Sequence, residues 1–82
     1  MAGAEGADVL GPSWLRLLYL LVRSPKTPTE LATLENKHLS EVSRTLRNMR
    51  DSGLVVYTET GSRERYYRAT EQGYILLRRM LR

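Results

Sequence analysis

Lys37, Ser40, Arg44, Arg47 and Asn48 follow one another at steps of three, four, three and one. At about 3.6 residues per turn those steps gather all five on one side of a helix, with Glu41 and Thr45 at its flanks. Ammonium, guanidinium, hydroxyl and amide groups are the donors and acceptors that meet base edges and phosphates. A solvated basic face is the plainer reading, because a helix packs through its apolar stripe and is indifferent to what faces water. Two more arginines, Arg63 and Arg65, follow a Gly-Ser turn downstream, at the expected hairpin tip. Glu59 and Glu64 share that segment and reduce its positive charge.

The charge of the whole chain is uneven in the same direction. Its 82 residues carry thirteen Lys or Arg against nine Asp or Glu, a net charge of +4. Residues 1–37 hold four bases and four acids and cancel, whereas residues 38–82 hold nine arginines against five acids. The planar fork of arginine suits bidentate contacts with phosphates and bases. Such a balance predicts an anionic partner.

Other chemistries find few residues to run on. There are no cysteines, which excludes disulfide scaffolds, zinc ribbons and thiol catalysis. The single histidine, His38, cannot build a histidine-rich metal centre and reads as a solvated or capping residue at a helix start. Asp51 and Glu59 lack a histidine nearby, Ser40 and Ser43 lack a base, and Gly61-Ser62 is no phosphate loop. Neither catalysis nor a cofactor or metal is expected. The longest apolar stretch, Leu17–Val22, falls far short of the about 20 residues of a membrane span. The acidic, small-residue start MAGAEGAD lacks the basic-then-apolar order of a secretory signal. A cytoplasmic protein with no membrane partner is expected. Apolar residues at 41% and charged residues at 27% suit one small globular domain.

The elements that must hold the basic face can be read along the chain. Residues 1–11 form a flexible N-terminal segment, Gly/Ala-rich at first and without periodicity. Gly11-Pro12-Ser13 then opens a helix whose Trp14, Leu17, Leu18 and Leu21 form one stripe. Pro28 sits at the first helical position of a short second helix, with Thr27 as N-cap, Glu30 in the first turn and an end near Asn36. The third helix turns Leu39, Val42, Leu46 and Met49 inward and stops at Asp51-Ser52-Gly53. Asp51 falls on its basic side and would repel phosphate, which places it beyond any groove. Leu54–Thr58 reads as a strand, Glu59–Ser62 as a turn and Arg65–Ala69 as a returning strand. Tyr67 and Arg68 must face opposite ways. Thr70 caps a last helix bearing Tyr74, Leu77 and Leu81, with Ile75, Leu76 and Met80 beside them. Trp14, Tyr67 and Tyr74 are the expected aromatic core.

Helix, helix, helix, hairpin, helix is the layout of a winged helix-turn-helix, mainly α with a small β-hairpin, spanning residues 12–82. Thr29-Glu30-Leu31-Ala32, then Leu39-Ser40-Glu41-Val42-Ser43-Arg44-Thr45-Leu46, then Ser52-Gly53-Leu54-Val55 resembles the winged-helix transcription regulators of the MarR and ArsR type. Those families read E-L-A, V-S-R-x-L and a-G-L-V. Arg63-Glu64-Arg65-Tyr66-Tyr67-Arg68-Ala69-Thr70-Glu71-Gln72-Gly73 is similar to their wing and exit. Ala69 stands where the family often has leucine. The resemblance implies a regulator of double-stranded DNA, with the third helix in the major groove and the wing on flanking backbone or minor groove. It also makes Tyr67 the inward tyrosine, leaving Tyr66 and Arg68 outward.

In such a regulator the N-terminal half of the third helix meets bases. Lys37, Ser40, Glu41 and Arg44 are then the base-contact candidates, and Thr45, Arg47, Asn48, Arg63 and Arg65 complete the DNA-binding set. Glu41 could accept from a cytosine amino group, trim non-specific affinity, or simply favour the helix start through the macrodipole. Metal sensing of the ArsR kind needs cysteine or histidine clusters, which this chain lacks. The extra helices of MarR-type regulators are missing as well, which speaks against a small-molecule effector.

The first helix is apolar on more than one side. Leu15, Tyr19 and Leu20, with Leu76, Met80 and Leu81 from the last helix, form either the interface of a homodimer or a wider internal core. Winged helices also serve as protein-interaction modules in transcription or replication machinery, and the fold alone does not decide between the two uses. The outer face of the third helix offers no aromatic or aliphatic anchor, which favours DNA.

Overall fold

The computed structural model describes residues 12–61 and 63–81, so the expected flexible segment lies outside the described residues. Four helices and one hairpin follow in order: α1 (Pro12–Arg23), α2 (Pro28–Glu35), α3 (Leu39–Asp51), β1 (Val55–Glu59), β2 (Arg65–Ala69) and α4 (Glu71–Met80). This is a winged helix-turn-helix.

Local chemistry fixes most boundaries. Thr27 is an extended N-cap whose hydroxyl accepts from the Glu30 N–H at 3.1 Å, while the Glu30 carboxylate accepts from the Thr27 N–H at 2.8 Å. This reciprocal box satisfies two orphan donors and lets the Thr27 side chain be buried. Asn36 ends α2 in the left-handed conformation (φ 54°), and its N–H and that of Lys37 return to the last turn. Only two residues then separate it from α3. Gly53 (φ 78°) turns the chain from α3 into β1. Thr70 caps α4 by accepting from the Gly73 N–H at 3.0 Å and donates to the Gly53 carbonyl at 2.6 Å, which joins the two ends of the hairpin.

One cluster forms the core. Trp14, Leu17, Leu18 and Leu21 of α1 meet Leu31 and Ala32 of α2, Val42, Leu46 and Met49 of α3, Val55, Tyr67 and Leu77. β1 and β2 pair antiparallel with Tyr57 opposite Tyr67 and Glu59 opposite Arg65. The other edge of β2 is also used. Lys26 exchanges two backbone hydrogen bonds with Tyr67, at 3.0 and 2.8 Å, tying the segment before α2 to the wing.

Several expectations are corrected. The first strand begins at Val55 and takes in Glu59, which the sequence reading gave to the turn. Leu39 does not seal the core: it is the first residue of α3, 48% exposed, lining an open cleft with Pro28, Ser43 and Arg63. Tyr74 is not core either. A close approach of Gly73 to the Leu54 carbonyl turns the 73/77 edge of α4 inward, which leaves Tyr74 49% exposed beneath the Arg78 guanidinium. Leu81 follows the end of α4 and is 60% exposed.

Candidate nucleic-acid interface

α3 is positioned by its buried side. Val42, Leu46 and Met49 are sunk in the core, so Ser40, Glu41, Arg44, Arg47 and Asn48 all stand exposed. Lys37 lies just before the helix, half-buried, its ammonium 3.8 Å from the Glu41 carboxylate. Thr45 is half-buried and its hydroxyl donates to the Glu41 carbonyl at 3.1 Å, a local bond that leaves it less free to face outward. His38 occupies the N-cap of α3 without a side-chain cap hydrogen bond.

The charges on this side fall into two groups. Arg44, Arg47 and Arg63 have no carboxylate partner among the described residues. Arg50 and Arg65 are held instead. The Arg65 guanidinium lies 3.7 Å from the Glu59 carboxylate and 4.7 Å from the centroid of the Tyr57 ring. That of Arg50 lies 3.9 Å from Asp51 and 5.5 Å from the same ring. Tyr57 in turn packs on Tyr67 with ring centroids 5.4 Å apart. A half-buried tyrosine thus draws a cation from the end of α3 and a cation from the wing onto one quadrupole. This arrangement ties the wing to the helix and offsets the Asp51 charge.

Sequence reasoning missed Tyr57, Arg50 and Ser43 as parts of this surface. Leu39, Ser43 and Arg50 share the flank of α3 nearest the wing, a spacing of four and seven that the sequence contains. Tyr57 carries no such signal, since its neighbours come from two other elements. Arg63 borders the cleft between the wing and α3, which has a volume of about 230 Å³.

A second surface lies between α1 and α4. Leu15, Tyr19, Leu20 and Leu81, all expected at an interface, line one apolar cleft of about 340 Å³ together with Leu77. The Arg16 guanidinium donates to Glu35 across its rim at 2.6 Å. Met80 is exposed at the end of α4, and Leu76 faces a different cleft beside Leu54 and Ile75.

The family model of the arsR family of bacterial regulatory proteins matches residues 11–57, more than half of the sequence. The chain belongs to the ArsR family. Solved structures carry the same fold. The adhesin competence repressor AdcR of Streptococcus pyogenes superposes on this ArsR-family chain with a TM-score of 0.82 at 21% identity, over 95% of this chain and 59% of that one. FabT of Streptococcus pneumoniae, solved in complex with DNA, gives 0.78 at 16% identity, over 85% and 51%. A mutant MarR from E. coli, complexed with operator DNA, gives 0.77 at 18%, over 83% and 51%. The ArsR-family chain spans between half and three-fifths of the length of these solved chains. No curated protein matches the sequence significantly. Among the described residues, no His, Asp and Glu side chains group as a metal site and no helix is long and apolar enough to cross a membrane.

Proposed function

We propose that this ArsR-family chain is a transcriptional regulator that binds double-stranded DNA as a homodimer in the cytoplasm, acting by binding and not by catalysis. α3 enters the major groove, and the hairpin wing lies on the flanking backbone or minor groove. The observation that carries this reading is the outer face of α3, where Arg44 and Arg47 stand exposed beside Ser40 and Asn48 and without carboxylate partners among the described residues. Unpaired guanidiniums give up no ion pair when they meet phosphates or guanines, and each neutralised phosphate releases counterions. Lys37, Ser40, Glu41 and Arg44 are assigned to base edges, with Thr45 at their flank. Arg47, Asn48, Arg63 and Arg65 are assigned to the backbone. FabT and MarR, solved with DNA, support the docking mode by their shared fold.

The homodimer rests on the α1–α4 cleft. Leu15, Tyr19, Leu20 and Leu81 with neighbouring Met80 form an apolar surface suited to a second copy, whereas Leu76 lines the separate cleft beside Leu54 and Ile75. A two-fold dimer would present two α3 helices to half-sites about one helical turn apart.

The test is titration of a fluorescent promoter fragment and a scrambled duplex, each at two salt concentrations, with light scattering on the same samples. Tighter binding to the promoter that weakens steeply with salt supports a specific regulator. Absence of binding at low salt refutes the proposal and leaves a protein partner as the occupant of the α3 face. A 9.4 kDa monomer at micromolar concentration refutes the homodimer.

A further inference from the structure

Leu39 offers a contact that the charged residues cannot make. It opens α3 48% exposed, while Val42, Leu46 and Met49 on the same helix are fully buried. Its surroundings are defined. The cleft it lines is walled by Pro28 and Thr29 of α2, Ser43 of α3 and Arg63, Glu64 and Arg65 of the wing. An apolar side chain is therefore set among hydroxyls, two guanidiniums and the Glu64 carboxylate, at the end of α3 that leads into a groove. An occupant must satisfy both. An apolar anchor from a protein would bury the Arg63 guanidinium, which has no carboxylate partner among the described residues and is costly to desolvate unpaired. A DNA duplex supplies a phosphate for Arg63 and, on its major-groove edge, one apolar group, the C5 methyl of thymine.

We propose that Leu39 is a specificity-determining residue that packs on a thymine methyl, so that the preferred site carries thymine at that step. The inference rests on the DNA-binding reading above and adds to it a base identity. Loss of the methyl, or of the leucine, removes the same contact.

The experiment begins with selection of bound duplexes from a random library by the full chain. Each thymine of the selected site is then replaced by 2′-deoxyuridine, which deletes the methyl and keeps the pairing. Wild type, Leu39→Ala and Leu39→Val are titrated on each duplex, with circular dichroism to check folding. The expected result is one thymine per half-site at which uracil weakens the wild type by about fourfold, the value of one buried methyl. At that position Leu39→Ala is weakened on thymine and loses nothing more on uracil, with Leu39→Val between the two. A selected site with no methyl-sensitive thymine overturns the proposal, and this arm needs no variant. Equal sensitivity in wild type and Leu39→Ala overturns it as well. Failure to retain any duplex at low salt refutes DNA binding itself, whereas retained duplexes without a shared methyl effect refute only the role of Leu39.

Discussion

Gly73 occupies the first turn of α4, where an added Cβ would stand 2.3 Å from the Leu54 carbonyl oxygen and 3.0 Å from the Leu18 Cδ1. The carbonyl has little freedom to retreat. It accepts the Thr70 N–H at 2.9 Å, and the Leu54 N–H donates to the Met49 carbonyl at 2.9 Å, so this residue fastens both α4 and the end of α3. In an unencumbered helix Gly→Ala stabilises by at most ~1 kcal/mol. Here the new contact is roughly 1 Å short of an ordinary one, and the obstacle is backbone. Overpacking costs about 1–3 kcal/mol, the rigid obstacle puts it at the upper end, and a lost Thr70–Leu54 bond adds about 1. Gly73→Ala is therefore expected to destabilise by ~2–3 kcal/mol, lowering Tm by roughly 10–20 °C in a domain of this size. Thermal and urea unfolding followed by circular dichroism measures this, with Gly61→Ala as control because nothing lies within 4 Å of its added Cβ. A Tm for Gly73→Ala equal to or above wild type would refute the reasoning, since α4 could then lift from Leu54 without cost.

Three further outcomes are expected. Thr27→Ala removes the hydroxyl that accepts from the Glu30 N–H and should cost ~1 kcal/mol in urea unfolding, with Thr27→Ser restoring most of it. Leu46→Ala, at a fully buried position of α3, should cost about 2–5 kcal/mol in the same assay, depending on how far the core collapses. Arg44→Ala should cost about 1–3 kcal/mol of affinity on the preferred duplex and relax its sequence preference, whereas Arg63→Ala should weaken all duplexes about equally and lower the salt slope by about one. Fluorescence titrations at several salt concentrations separate the two.

Much of this molecule was legible before its structure. Thr27-Pro28 and Thr70 announce helix starts, Gly53 announces a helix end, and periodicity assigns the buried stripe of α1, because capping, backbone freedom and burial all act within a few residues. The polar side of α3 is visible for the same reason: once Val42, Leu46 and Met49 are buried, Arg44 and Arg47 must be exposed.

What depends on neighbours from distant parts of the chain was not legible. The Lys26–Tyr67 pairing joins residues far apart in sequence through backbone atoms, which leave no trace in side-chain pattern. Leu39 fits the apolar stripe by spacing, yet α2 and the wing leave a cleft over it, so its exposure follows from where those elements end. Tyr74 fits the stripe of α4, but the contact of Gly73 with Leu54 sets the rotation of that helix and turns the tyrosine out. Arg63 and Arg65 look alike in sequence, and only the fold separates them by holding Arg65 between Glu59 and Tyr57. The sequence by itself determined the elements and the basic character of the α3 face, since local propensity and periodicity are properties of short windows. The tertiary structure alone decided the rotation of α4, the exposure of Leu39 and which arginines stand without a carboxylate among the described residues, since these depend on packing between elements far apart in the chain.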